Sequence, residues 1–357
     1  MNTIMSLTLA SALSMTAAPP PEPHEIMAVP PGTLERLEVR IGRLARSPER
    51  RLDLLIDFIS QESGLNLTYR SVPTLDISAT INEGRGNCLS FTLLFISLAR
   101  ALGLDVHARE VDLPPEWSTS SADGLIFRIG HVNVGVTTPS RHATVDFEPD
   151  PMLSRRLAAP WRGRPISDER ALAHFYNNRA AELISENRLT LADQWVVRAI
   201  ELDPGFAAAW NTRGVIARRL EQFETARAAF VQALDLQPGD ASILFNLIGI
   251  ELQLGQEASA SRYSARLESL HPNDPYFHWT VGRHHERLGQ HLRAARLYRL
   301  AIAQMPDEQR FHASLARVLF ETGDLQGAQD ALAASRTPND FVNQQLHTKL
   351  QAHKPAL

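Results

Sequence analysis

Gly84-Arg85-Gly86-Asn87-Cys88, running on through Leu89 to Leu102, is the stretch around which the chain is organised. It holds the only cysteine in 357 residues. Leu89, Phe91, Leu93, Leu94, Phe95, Ile96, Leu98, Leu102 and Leu104 make the segment apolar nearly all round, which predicts a buried central helix rather than a surface one. Gly103 ends it as a helix-terminating glycine. A thiol in the first turn of that helix faces unpaired backbone N–H groups and the positive end of the helix dipole. Both favour the thiolate, the nucleophilic form. The two glycines let the backbone turn sharply and let a substrate come close. A free cysteine is more often a small buried hydrophobe than a nucleophile, so what surrounds it in the fold decides its role.

Beyond Gly103 the periodicity changes from helical to two. Asp105 to Val111 alternates as a strand, Pro114 to Gly124 reads as a polar loop, and Leu125 to Val136 is the longest strand signal. A turn at Pro139 and Ser140 leads to a third strand over Ala143 to Phe147. Ahead of the cysteine, Leu34 to Leu44 is amphipathic through Leu34, Leu37, Ile41 and Leu44. A second helix opens at Pro48, with Leu52, Leu55, Ile56 and Ile59 inward. A helix packed on antiparallel strands is an α+β layout.

From Ser167 onward the pattern is helical throughout. Pro204, Pro238, Pro272 and Pro306 stand 34 residues apart, with two helices in each interval. Gly214, Ala226, Phe230 and Ala233 precede Pro238, and Gly282, Ala294, Tyr298 and Ala301 precede Pro306 at matching places. Small residues let paired helices approach closely while the aromatic ring fills the space between them. This pattern resembles the tetratricopeptide repeat and implies an all-α solenoid of four units plus a degenerate fifth over Phe311 to Ser335. The unit ending at Pro272 departs from it, with Ile248 and Ser264 at the small and aromatic places. Such a solenoid implies docking of a protein or peptide on its inner face, with Asn211, Arg218, Asn246, Trp279 and Arg283 as candidate contacts.

A cysteine nucleophile needs a base and a group to orient that base. His131 lies in the long strand, 43 residues after Cys88, and Asp146 lies in the next strand, 15 residues further on. Neighbouring strands bring such side chains together, and a helix across them brings the thiol to the imidazole. At Gly86-Asn87-Cys88, Ala101-Leu102-Gly103-Leu104, His131 and Val145-Asp146 the chain resembles the transglutaminase-like superfamily of papain-type cysteine enzymes. The resemblance spans about residues 48 to 150. It implies a papain/transglutaminase-like fold, a catalytic triad of Cys88, His131 and Asp146, and no metal or organic cofactor. The Cys88 amide would be one oxyanion donor. An upstream polar side chain is usual in the superfamily, which makes Asn82 a candidate second donor, with Asn87 and Arg85 as alternatives. Asn133 shares the strand face of His131. His142, His107, His278 and the pair His284-His285 carry weaker signals, since adjacent helical histidines diverge and no carboxylate pattern accompanies them.

The resulting division is an export signal over 1–18, a Pro-rich linker over 19–33, the transglutaminase-like domain over 34–152 and a linker over 153–168. Tetratricopeptide repeats over 169–338 and a tail over 339–357 complete it. The apolar run Ile4 to Met15 followed by Thr16-Ala17-Ala18 supports export to the periplasm, although Lys and Arg are missing from its start, which leaves a cytoplasmic location as the alternative. Net charge −4 gives no basic field for nucleic acid, and a lone cysteine excludes internal disulfides and multi-cysteine metal sites. The expected function is that of a cysteine-dependent amide or peptide hydrolase or acyl transferase working through a thioester. The alternative is an inactive adaptor that mediates protein–protein interaction.

Overall fold

The computed structural model describes residues 19–111, 117–119, 126–128, 131–140, 142–147, 163–270 and 275–335. Three short helical pieces lead in: α1 (Pro23–Ile26), α2 (Pro31–Leu37), which runs on as a π-helical turn over Glu38–Gly42, and α3 (Pro48–Ser60). Ser47 caps α3 by accepting from the Arg50 amide, and Pro48 occupies the first turn, where its missing N–H costs nothing. Leu37, Ile41, Leu52, Leu55 and Ile59 turn inward as expected, whereas Leu34, Leu44 and Ile56 are exposed. A helix not evident from periodicity, α4 (Ile77–Glu83), is capped by Asp76 and ends at Gly84 with φ +64°.

Helix α5 (Cys88–Ala101) is buried nearly all round, as its composition requires. It lies across an antiparallel sheet of β3 (Asp105–Val111), β6 (His131–Thr137), β7 (His142–Val145) and β8 (Gly163–Pro165), in the order β7-β6-β3-β8. Thr92 Oγ1 donates to the Val132 carbonyl at 3.3 Å and ties the helix to the central strand. Two shorter pairs flank this core: parallel β1 (Thr68–Tyr69) with β2 (Arg85–Gly86), and antiparallel β4 (Trp117–Thr119) with β5 (Ile126–Arg128).

Three expectations are corrected here. The apolar run 125–136 is not one strand: 126–128 pair with 117–119, inside the stretch read as a loop, and a separate strand begins at His131. Residues 163–165, assigned to a linker, are the sheet's edge strand against Arg109 to Val111. The Pro-rich 19–33 segment is packed rather than extended. Ile26 is fully buried, Tyr176 Oη donates to the Pro21 carbonyl, and Arg198 bonds Glu22. Proline at a helix start is compatible with helix, and the partners that hold these turns lie some 150 residues away in sequence, beyond the reach of local pattern.

Five helix pairs follow among the described residues: α6 (Asp168–Ser185) with α7 (Leu189–Leu202), α8 (Ala207–Arg219) with α9 (Phe223–Leu236), α10 (Ala241–Gln253) with α11 (Glu257–Leu270), α12 (Pro275–Arg287) with α13 (His291–Gln304), and α14 (Gln309–Glu321) with α15 (Leu325–Ala334). The small-plus-aromatic rule has a direct steric basis. A Cβ added to Gly214 would lie 2.4 Å from the Phe230 ring, and one added to Gly282 would lie 2.6 Å from Tyr298. One hydrophobic core runs from the front sheet through α6 into the repeats. The junction is also polar: Arg100 grips Asp168 at 2.5 and 2.9 Å, and Glu110 accepts from His174 at 2.7 Å and from Arg164. Burial works against the Glu110 charge, but His174 and Arg164 outweigh it and hold the carboxyl down at about 2. No helix among the described residues is long and apolar enough to cross a membrane.

Candidate active site

Cys88 is the first residue of α5, and its half-buried thiol stands at the positive end of that helix. Asn87 makes the start rigid. Its Oδ1 accepts from the Ser90 amide at 3.0 Å while its Nδ2 donates to Thr74 Oγ1 at 2.8 Å and to the Ser71 carbonyl at 3.3 Å. Gly86 is obligatory for a different reason: a Cβ there would sit 2.9 Å from Ser90 Cβ and 3.0 Å from the Phe91 ring. The cysteine therefore sits on a turn that is braced on both sides.

His131 opens β6, opposite Val111 in β3. Its ring is 3% exposed. Nε2 meets both oxygens of Asp146, at 2.8 and 2.9 Å. The Cys88 side chain is the other group that acts on the ring by hydrogen bonding and charge. Burial on its own would discharge the ring. The hydrogen bonds and charges of Asp146 and Cys88 outweigh it and push the imidazole up to about 10. The geometry thus favours a charged ring between two acids, one of them the thiol.

Asp146 lies one residue beyond the end of β7. Two features fix it there. Val145 pairs with Val134 in β6, which places Asp146 beside Asn133, and Asn133 Nδ2 donates to Asp146 Oδ2 at 2.9 Å. Phe147 then anchors the chain on the nucleophile helix, with its ring 5.4 Å from Phe91 and 5.9 Å from Phe95. Sequence reasoning puts Asn133 on the correct face without its role. The signal is the two-residue spacing from His131, which places both side chains on one side of a strand. Asn133 Oδ1 is buried and finds no hydrogen-bond partner among the described residues.

The other candidates separate clearly. Asn82 is exposed in the last turn of α4. Arg85 is taken by Glu83 at 2.7 Å, and both amide hydrogen-bonding directions of Asn87 are spent on the turn. His142 is exposed at the opposite end of the hairpin from His131, paired with Thr137. In the repeats, Asn246 Nδ2 donates to Asn211 Oδ1 at 2.9 Å, and Trp279 Nε1 donates to Ser314 Oγ at 2.9 Å. Asn246 is 0% exposed and Trp279 7%, so Asn211, Asn246 and Trp279 stitch neighbouring repeats together rather than standing open to a partner. Helical pattern finds such residues but cannot separate an inner face from an inter-repeat seam. Arg218 and Arg283 remain accessible in part. No group of three or more metal-ligating side chains occurs among the described residues.

Residues 35–147 match the transglutaminase-like superfamily, and residues 207–240 and 287–351 match tetratricopeptide repeats. No curated protein matches the chain. Among solved structures, YrrB, titled a tetratricopeptide-repeat protein with an unusual peptide-binding site, is 23% identical, with 50% of this chain and 91% of that one covered at a TM-score of 0.38. PilW, titled a type IV pilus biogenesis factor, is 20% identical over 51% of this chain and 93% of its own, at a TM-score of 0.43. A thermophilic repeat protein of Thermus thermophilus is 16% identical over 50% of this chain and 97% of its own, at a TM-score of 0.42.

Proposed function

From a chain that carries a transglutaminase-like core followed by tetratricopeptide repeats, we propose a cysteine-dependent hydrolase or acyl transferase that works on carboxamide or peptide carbonyls. The observation that carries the reading is a buried imidazole held by a carboxylate on Nε2 and partnered by the only thiol of the chain. The Cys88 sulfur attacks the carbonyl carbon, and the carbonyl electron pair moves to oxygen. The Cys88 amide stabilises that oxyanion, and Asn82 is the proposed second donor. As the tetrahedral species collapses, the C–N bond breaks and His131 gives its proton to the leaving amine. The thioester left on Cys88 is resolved by water, giving a carboxylate, or by an amine, giving a new amide. In either case His131 takes the incoming proton. Asp146 keeps the ring oriented and stabilises its charge throughout. Exclusion of water from the acyl site favours the amine.

The repeats supply docking for a protein or peptide, and the shared core holds that surface in a set position relative to Cys88. Export through residues 1–18 belongs to the same proposal, with those residues outside the described ones. The test is thioester trapping by mass spectrometry with an activated glutamine-type amide, on the native chain and on His131→Ala. An adduct of acyl mass on Cys88 that disappears in the variant supports the enzyme. If no adduct forms, and alkylation of Cys88 is the same in both proteins, the reading fails and the adaptor alternative stands.

A further inference from the structure

The first helices of successive pairs pack on one another and form the inner layer of the repeat array. Arginines crowd this layer, and they fall into two groups. Arg310 is spent on Glu308 at 2.8 Å, and Arg317 on Glu286 at 2.9 Å. Arg283 and Arg287 have no hydrogen bond or ion pair to a carboxylate among the described residues. They are one helical turn apart on α12, so they share a face, and they continue a stripe that begins at Trp279. The Arg283 guanidinium sits 5.0 Å above the Trp279 ring.

A third guanidinium joins them from another helix. Arg218 of α8 bonds Gln253 at the end of α10 and lies over Gly249, where a Cβ would be 3.4 Å from its Nη1. A side chain at 249 would contest that path. Burial, and then the charges of Arg283 and Arg218, lower Arg287 from its ordinary value although part of its side chain stands exposed; burial lowers the half-buried Arg283. The acid nearest to this stripe is Glu286. It already receives Arg317 and the Tyr298 hydroxyl, the latter at 2.6 Å, and has little capacity left. Like charges held together and partly desolvated gain most from a ligand that brings carboxylates.

We propose that this face takes an acidic segment of a protein, a run of Asp or Glu side chains laid along Arg283 and Arg287 with Arg218 at its flank. This rests on the docking role of the repeats given above and names the chemistry of what docks. A run fits better than a single anion because the guanidiniums extend along one helix and across to a second. Nucleic acid fits poorly. Trp279 is almost fully covered, with Arg283 on its ring and Arg310 at 5.6 Å, so it offers no stacking platform, and a net charge of −4 supplies no long-range attraction. Strand β5 of the front domain lies against α10, the helix that Arg218 crosses.

The experiment uses the full chain carrying Cys88→Ala, so that no probe is consumed, and a fluorescein-labelled oligoglutamate peptide read by anisotropy. Saturable binding is expected, weakened about tenfold or more by Arg283→Gln with Arg287→Gln, and by raising the salt on the unsubstituted protein. Arg283→Lys with Arg287→Lys keeps the charge and is expected to retain most of the binding, which separates lost charge from lost fold. The proposal is overturned by absence of binding, by binding indifferent to both salt and the Gln pair, or by displacement with a single-stranded oligonucleotide or inorganic phosphate at equal charge concentration. Alkylation of Cys88 is followed separately on the native chain. Normal alkylation with no peptide binding removes only the acidic-segment proposal, and peptide binding beside an inert thiol removes only the enzymatic one.

Discussion

Two buried histidines, one in each half of the molecule, have opposite fates. His131 is 3% exposed and His284, on α12, is 1% exposed. His131 has a carboxylate on one nitrogen and a thiol as its other partner, and is pushed up to about 10. His284 has no hydrogen-bond partner for either nitrogen among the described residues, and burial, aided by the charges of His285 and Arg287, drives it down to about 4. Equal burial therefore produces a charged ring in one place and a neutral ring in the other. Partners decide which, and the two partners of His131 come from separate elements, Cys88 from the start of α5 and Asp146 from just past β7. The front domain spends its structure on assembling a charge. The repeats spend theirs on steric fit, with lone polar groups tolerated where helices stack.

The largest break in that contrast is His131→Ala, which should lower thioester formation by about 10²–10⁴-fold while the fold persists. Rates measured by single-turnover mass spectrometry check this, and a loss of less than severalfold counts against the ring as base. In the repeats the corresponding sensitive group is a missing methyl. Gly214→Ala drives a Cβ into Phe230 and should cost about 1–3 kcal/mol of stability in urea unfolding, with thiol chemistry untouched. An unchanged midpoint would show that the ring has room to move.

The two histidines also predict opposite pH windows. The folded value of His131 lies above its ordinary 6.5, so its contribution to stability is full below 6.5 and lost as pH rises through about 10. The folded value of His284 lies below 6.5, so its contribution is present above 6.5 and lost as pH falls through about 4. Melting curves of His131→Gln should converge on the native protein toward alkaline pH, and those of His284→Leu should gain on it toward acid. The reverse pairing would contradict the electrostatic account. The smallest effect expected is that of Asn133→Ala. It removes one hydrogen bond to Asp146 and should cost about 1 kcal/mol, read as a severalfold drop in thioester formation.

Much of this was legible in the chain. The strand pattern put His131 and Asn133 on one face, and a turn at Pro139-Ser140 returned the chain so that Asp146 came alongside. The 34-residue proline spacing and the Gly214–Phe230 pairing are one steric rule seen twice. What escaped were features decided by distant partners. Residues 163–165 become a strand only because β3 offers an open edge, and the prolines at 19–31 look extended until Tyr176 and Arg198 are present to receive them. Asn211 and Asn246 share the helical signature of a binding surface, and their burial follows from the next repeat stacking on them.

The charged ring beside the thiol is tested most directly by the rate of Cys88 alkylation with iodoacetamide as a function of pH. The account predicts that at each pH from about 6 to about 9 the native chain is alkylated faster than His131→Ala, because the charged ring favours the nucleophilic form of the sulfur. A native rate equal to that of the variant across this range would contradict it.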